Sequence, residues 1–178
     1  MVKKLFTLFV AGAALCLSAN LFADHDYDLH INGDFRGTPV GGSIVPGWFS
    51  DSNEGLKILQ GNDYNEFVLN VKAPAKTGKT VFSDIYQIPA GALELKAKIS
   101  GTGNAAIGFE AFDADKKPIP QGMKIENCPL SQFSRKFKFY FQLPANARFI
   151  RIILNTEPGS EAFFHDVDAE IKQMPVYR

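Results

Sequence analysis

INGDFRGTPVGGSIVPGW, residues 31–48, places a turn dipeptide, a glycine-rich loop and a Pro-Gly turn in front of the only tryptophan of the chain. Asn32-Gly33 is a turn signal, Gly41-Gly42 frees the backbone of side-chain constraint, and Pro46-Gly47 turns the chain just before Trp48. The stretch reads as strand, loop, strand. That is the opening of an all-β domain, and the rest of the sequence is consistent with it.

Short alternating segments follow at regular spacing. Leu56 to Leu59 and Phe67 to Val71 read as strands on either side of the Gly61-Asn62-Asp63 turn. In the second, Phe67, Leu69 and Val71 alternate with Val68, Asn70 and Lys72, so one row points inward. Val81 to Ile88 is the next strand. Leu93, Leu95, Ala97 and Ile99 then alternate with Glu94, Lys96 and Lys98, the clearest half-buried pattern in the chain. After the Gly101 to Asn104 turn, Ile107 and Phe109 share one face and Glu110 and Phe112 the other. Asp113 to Gly122, with two prolines and two lysines, reads as a long hairpin loop. Phe133, Phe137, Phe139, Phe141 and Leu143 share a parity and predict one long, aromatic core strand. Ile150, Ile152 and Leu154 oppose Phe149, Arg151 and Ile153, and Ala162 to Ile171 closes the set with Phe163, Val167, Ala169 and Ile171 on one parity. Roughly nine strands with no amphipathic helix predict an antiparallel β-sandwich.

The N-terminus sets a compartment. Lys3 and Lys4 precede the apolar run Leu5 to Leu17, and Ala23 offers a small residue for cleavage, the layout of a secretory signal peptide over residues 1–23. The run is short for a membrane span. Export to the periplasm or the extracellular space is therefore expected, with residues 24–178 as a single domain. The 19 basic residues balance the 19 acidic ones, and loss of Lys3 and Lys4 leaves a slight acidic excess. Nothing in that balance attracts nucleic acid or anionic lipid. Of the two cysteines only Cys128 lies beyond the leader, so the domain forms no internal disulfide, and Cys128 reads as a small buried hydrophobe. Gly78-Lys79-Thr80 imitates the end of a phosphate-binding loop, but Ala73 stands where its first glycine belongs and a strand follows. His25, His30 and His165 lack zinc-ligand spacing. No G-x-S-x-G elbow or H-E-x-x-H occurs, so no enzyme is expected.

Several motifs fall in an order that resembles a known superfamily. The N-G-D-F opening at Asn32 to Phe35, Pro46-Gly47-Trp48, Tyr86-Gln87-Ile88, Pro89-Ala90-Gly91, Phe141-Gln142-Leu143-Pro144, Arg151-Ile152 and Phe164-His165-Asp166-Val167 cover most of residues 24–178. In this order they resemble the galactose-binding-domain-like superfamily, in particular carbohydrate-binding modules of the CBM4/9/22 type. The resemblance implies a jelly-roll sandwich and a secreted, non-catalytic protein that binds a polysaccharide or glycan. It also implies a structural calcium where the chain ends meet, with Asp34 and Asp166 as its candidate ligands. Here His165 replaces the first aspartate of the F-D-D-V ending, which removes a hard oxygen ligand.

A sugar site needs aromatic faces for the pyranose ring and polar groups for its hydroxyls. Trp48, Phe49, Tyr64, Tyr86, Phe112 and Tyr140 could supply the first, and Gln87, Glu94, Glu110 and Arg151 the second. The set selected as ligand-binding is Trp48, Tyr86, Glu110, Phe112 and Arg151. The competing reading is a structural or protein-interaction sandwich of the cell envelope, whose partner is another protein rather than a sugar.

Overall fold

The computed structural model describes residues 26–173; the leader expected at residues 1–23 lies outside them. Among the described residues, twelve strands form two six-stranded antiparallel sheets. In sheet A, β10 (Arg135–Gln142), β7 (Ala92–Thr102), β12 (Glu161–Lys172), β4 (Phe67–Lys72) and β3 (Leu56–Gln60) lie in that order, and β1 (Tyr27–Asp28) pairs with the far end of β12. In sheet B the order is β2 (Trp48–Phe49), β5 (Lys79–Ser83), β11 (Phe149–Thr156), β8 (Asn104–Phe112) and β9 (Pro118–Pro129), with β6 (Tyr86–Gln87) on the start of β11. This is the all-β antiparallel sandwich that the alternating pattern predicts.

The inward rows meet between the sheets. Leu93, Leu95 and Ile99 from β7 and Phe164 from β12 face Ile107 and Phe109 from β8 and Ile150, Ile152 and Leu154 from β11, all excluded from solvent. Each such side chain contributes about 1.5–3 kcal/mol of burial. Phe109 meets Phe141 of β10 edge to face at 5.3 Å, tying the two layers together.

Several sequence expectations change: twelve strands replace the roughly nine expected, and the single strand expected over Val81 to Ile88 is divided between β5 and β6. Residues 118–122, expected within the hairpin loop of Asp113 to Gly122, instead begin a strand that runs on to Pro129. β9 lies at the edge of sheet B and pairs only with β8, so Pro118, Pro120 and Pro129 are tolerated there as they would not be in a central strand. The aromatic strand is shorter than its parity suggests: β10 starts at Arg135, Phe133 is 82% exposed, and Phe137 and Phe139 are half-buried at the sheet edge. In β12 the register slips between Phe164 and Asp166, a β-bulge that reverses the parity. Ala162 and Phe164, not Phe163, therefore join Val167, Ala169 and Ile171 in the core.

The outer face of sheet A carries a charge ladder. Glu94 is buried between Lys96 at 2.8 Å and Lys138 at 2.9 Å, and Lys96 also reaches Asp168 and Glu170, each at 3.1 Å. Burial raises the Glu94 pKa, but the hydrogen bonds from Lys96, Tyr140 and Lys138 prevail and hold it down, from 4.5 to about 2. The folded protein thus binds this proton less readily than the unfolded chain. The resulting stability is full above about pH 4.5 and is lost as pH falls toward about 2. Urea midpoints across that range are expected to fall steeply for the native sequence and less steeply for Glu94→Gln; parallel curves would refute the assignment.

Candidate functional site

The outward row of sheet B is aromatic where most outward rows are polar. Antiparallel pairing sets Glu110 beside Arg151, Phe112 beside Phe149, Phe82 beside Ile153, and Phe49 beside Phe82. Arg151 is the centre of this cluster. Its Nε and Nη2 both donate to Glu110 Oε2, at 2.7 Å and 2.6 Å. Its guanidinium lies 4.2 Å from the Phe82 ring centroid, 5.5 Å from Phe112 and 5.8 Å from Phe49. Such contacts contribute roughly 0.5–2 kcal/mol each, more as water is excluded. Phe49 and Phe82 stack at 5.6 Å, and Lys116 Nζ sits 5.2 Å from the Phe149 centroid.

The middle of this face is flat. Ala106 and Gly108 contribute almost no side chain, and a Cβ on Gly108 would lie 1.9 Å from the carbonyl oxygen of Lys124. Glycine is therefore required for β9 to approach β8 closely. β9 in turn brings Met123 and Ile125 to the surface beside Glu110 and Gly108. Phe49 is 45% exposed and offers the open ring of the cluster, whereas Phe112 is covered.

Of the residues selected from sequence, Glu110, Phe112 and Arg151 come together on this face. Trp48 and Tyr86 do not. Trp48 is 6% exposed, 5.7 Å from Phe35, and its Nε1–H donates to the carbonyl of Asn32 at 2.8 Å. Its position on β2 turns it into the core and turns Phe49 out. Tyr86 packs half-buried against the core; burial, and then Asp84, raise the pKa of its hydroxyl. Phe82 and Phe149 carry no sequence signal for this face, because one-strand parity does not show which strands will lie side by side.

The candidate cation ligands lie where the chain ends meet, with the Val167 N–H donating to the Gly33 carbonyl at 3.0 Å. Asp34 is paired with Arg36 at 2.8 Å, and His165 is turned away to Ser100 and Glu66. Desolvation, followed by the charges of Asp168 and Asp34, raises the pKa of Asp166. Two carboxylates, one already matched by a guanidinium, fall short of the six to eight oxygens calcium takes. These two side chains alone do not complete a calcium shell, and no functional step is assigned to the ion. The three-carboxylate group Asp28, Asp168 and Glu170 is likewise served by lysines, since Lys96 reaches both Asp168 and Glu170.

No protein-family model matches the chain, and no curated protein matches it. Solved structures share its fold. A family 29 carbohydrate-binding module from Piromyces equi superposes with a TM-score of 0.52 at 10% identity, over 86% of this chain and 95% of the module. A cyclase from Fischerella sp. TAU, solved with an indolyl butanone, gives 0.59 at 10% identity over 83% and 98% of the two chains. The enzymatically active domain of the bacteriophage CBA120 tailspike protein 4 gives 0.55 at 16% identity over 71% of this chain, which spans about 20% of that protein. Modules of families 11 and 22 share the fold as well. The chain thus has an antiparallel β-sandwich of the jelly-roll kind, the fold shared by these carbohydrate-binding modules.

Proposed function

We propose that the protein is an exported glycan-binding module that holds a polysaccharide against the outer face of sheet B. The observation that carries this reading is the clustering of Phe49, Phe82 and Phe112 around the Arg151–Glu110 pair. An open aromatic ring meets the apolar C–H face of a pyranose, and a charged hydrogen-bonding pair beside it meets hydroxyls. Binding at this face is non-catalytic: the one carboxylate at its centre is spent on Arg151. The carbohydrate-binding modules of the same fold support the reading. Met123 and Ile125, 55% and 40% exposed, favour a second one, in which the same face docks an envelope or secreted protein.

The test is retention on a broad polysaccharide panel in calcium and in chelator. Phe49→Ala is expected to weaken retention about tenfold, equivalent to about 1.4 kcal/mol, with little change in melting temperature because the ring is half exposed. Equal binding and melting in both buffers are expected, since Arg36 already engages Asp34 and the two carboxylates alone do not complete a calcium shell. A folded native protein that binds nothing on the panel would overturn the glycan reading, and a specific protein recovered through this face would replace it.

A further inference from the structure

The outer face of sheet A carries a second constellation, independent of the phenylalanine cluster on the opposite sheet. Ser100 of β7 has its Oγ 2.9 Å from His165 Nε2, and His165 Nδ1 lies 3.2 Å from Glu66 Oε1. Glu66 also accepts the Asn62 N–H at 2.9 Å through Oε2 and pairs with Lys98 at 3.3 Å. Burial raises the pKa of Glu66, but these contacts outweigh it and keep the group ionised. An ionised Glu66 can only accept, so Nδ1 carries the imidazole proton and Nε2 presents its lone pair to the Ser100 hydroxyl. Nucleophile, base and orienting carboxylate are thus linked in the order that acyl transfer requires.

Two further observations go beyond a hydrogen-bonded chain. The register slip in β12 falls at His165, and bulges of this kind re-aim side chains next to active sites. Ser100 and His165 also line a cavity of about 360 Å³ whose apolar wall includes Leu59, Val68 and Phe163. No Asp, Glu, Lys or Arg lines it, which suits an uncharged ligand.

We infer that Ser100, His165 and Glu66 form a hydrolytic triad that cleaves small uncharged acyl esters in this cavity. Ser100 Oγ bonds to the ester carbonyl carbon as its proton passes to His165 Nε2. The tetrahedral adduct collapses, the C–O bond to the leaving group breaks, and the alcohol departs with the proton from His165. Water then attacks the acyl-serine and gives a proton to Nε2. Collapse releases the carboxylic acid and returns the proton to Ser100 Oγ, so ester and water become alcohol and acid. The Gly101 N–H is bound to the Ser131 carbonyl at 2.8 Å and is not free for an oxyanion; the polar residues Asn62, Thr102 and Gln132 also line the cavity. Glu66 is a positioning residue that acts through His165.

The test uses the exported chain with p-nitrophenyl acetate and an alkyl fluorophosphonate. Peptide mass spectrometry is expected to find phosphonylation at Ser100, and hydrolysis is expected to fall about 100-fold or more in Ser100→Ala and His165→Ala. Glu66→Gln presents an amide donor to Nδ1 and should move the His165 proton to Nε2, read from imidazole ¹⁵N shifts, with hydrolysis lost and partly restored in Glu66→Asp. Labelling is read on the native sequence, so it does not depend on any variant folding. Folded native protein left unlabelled at Ser100, or hydrolysis equal in native and Ser100→Ala proteins, would overturn the proposal.

Discussion

Trp48→Ala is expected to destabilise the protein by about 3–5 kcal/mol, and its effect on glycan retention should go no further than that loss of folding. The ring is packed on Phe35, itself fully buried, at a tilt of 50°. Its Nε1–H also caps the carbonyl of Asn32, whose side chain organises the loop that opens the domain. Asn32 Nδ2 donates to the carbonyls of Arg36 and Pro46, both at 2.9 Å, and its Oδ1 accepts the Arg36 N–H at 3.0 Å. Phe35 sits at φ 55°, a left-handed conformation that costs a non-glycine residue roughly 1–3 kcal/mol. Removing the indole takes away both the packing and the bond that hold this strained turn. For a chain of this size each kcal/mol shifts the melting temperature by about 2–4 °C, so the expected drop is large. An unchanged urea midpoint combined with lost glycan retention would instead put Trp48 on the binding surface.

The same tryptophan shows where the sequence is legible and where it is not. Residues 31–48 mark a loop-rich opening, yet which of Trp48 and Phe49 turns inward depends on the pairing of β2 with β5, and those residues lie far apart along the chain. Alternation predicts the inward rows of β4, β7, β8 and β11, because a strand with one buried face shows its parity in its own residues. It also separates Glu110 and Phe112 from Ile107 and Phe109 without knowledge of any neighbour. The bulge at His165 is not visible in this way: it breaks parity midway, and Phe163 and Phe164 are equally apolar. β9 is hidden because its prolines suit an edge strand, and edge status is a property of the sheet. The Ser100, His165 and Glu66 constellation has no local motif at all. Its members are 65 and 99 residues apart in sequence and meet only because β7, β12 and the turn before β4 are neighbours.

Arg151→Lys should disable the sheet B face nearly as fully as Arg151→Ala, although it preserves the charge. The native side chain does two things that depend on its shape. Two of its N–H groups reach the same oxygen of Glu110, and its plane covers the Phe82 ring at 4.2 Å while contacting Phe112 and Phe49. An ammonium is a compact, strongly hydrated point charge that cannot stack and cannot offer a planar fork. With lysine, Glu110 keeps at most one of its two charged hydrogen bonds in a half-buried setting, and the three rings lose the plate that spaces them. Hydrogen bonds to charged groups contribute about 1.5–3 kcal/mol, so a stability loss of about 1–3 kcal/mol is expected after partial compensation by water. Retention on the glycan that the native protein binds should fall roughly 10- to 100-fold, equivalent to about 1.4–2.8 kcal/mol. A double-mutant cycle with Glu110→Gln separates the two contributions: coupling should appear in stability, whereas lost stacking should persist in the binding arm. Native-like retention and melting in Arg151→Lys would show that charge alone suffices at this position, and that the aromatic cluster does not depend on the guanidinium for its arrangement.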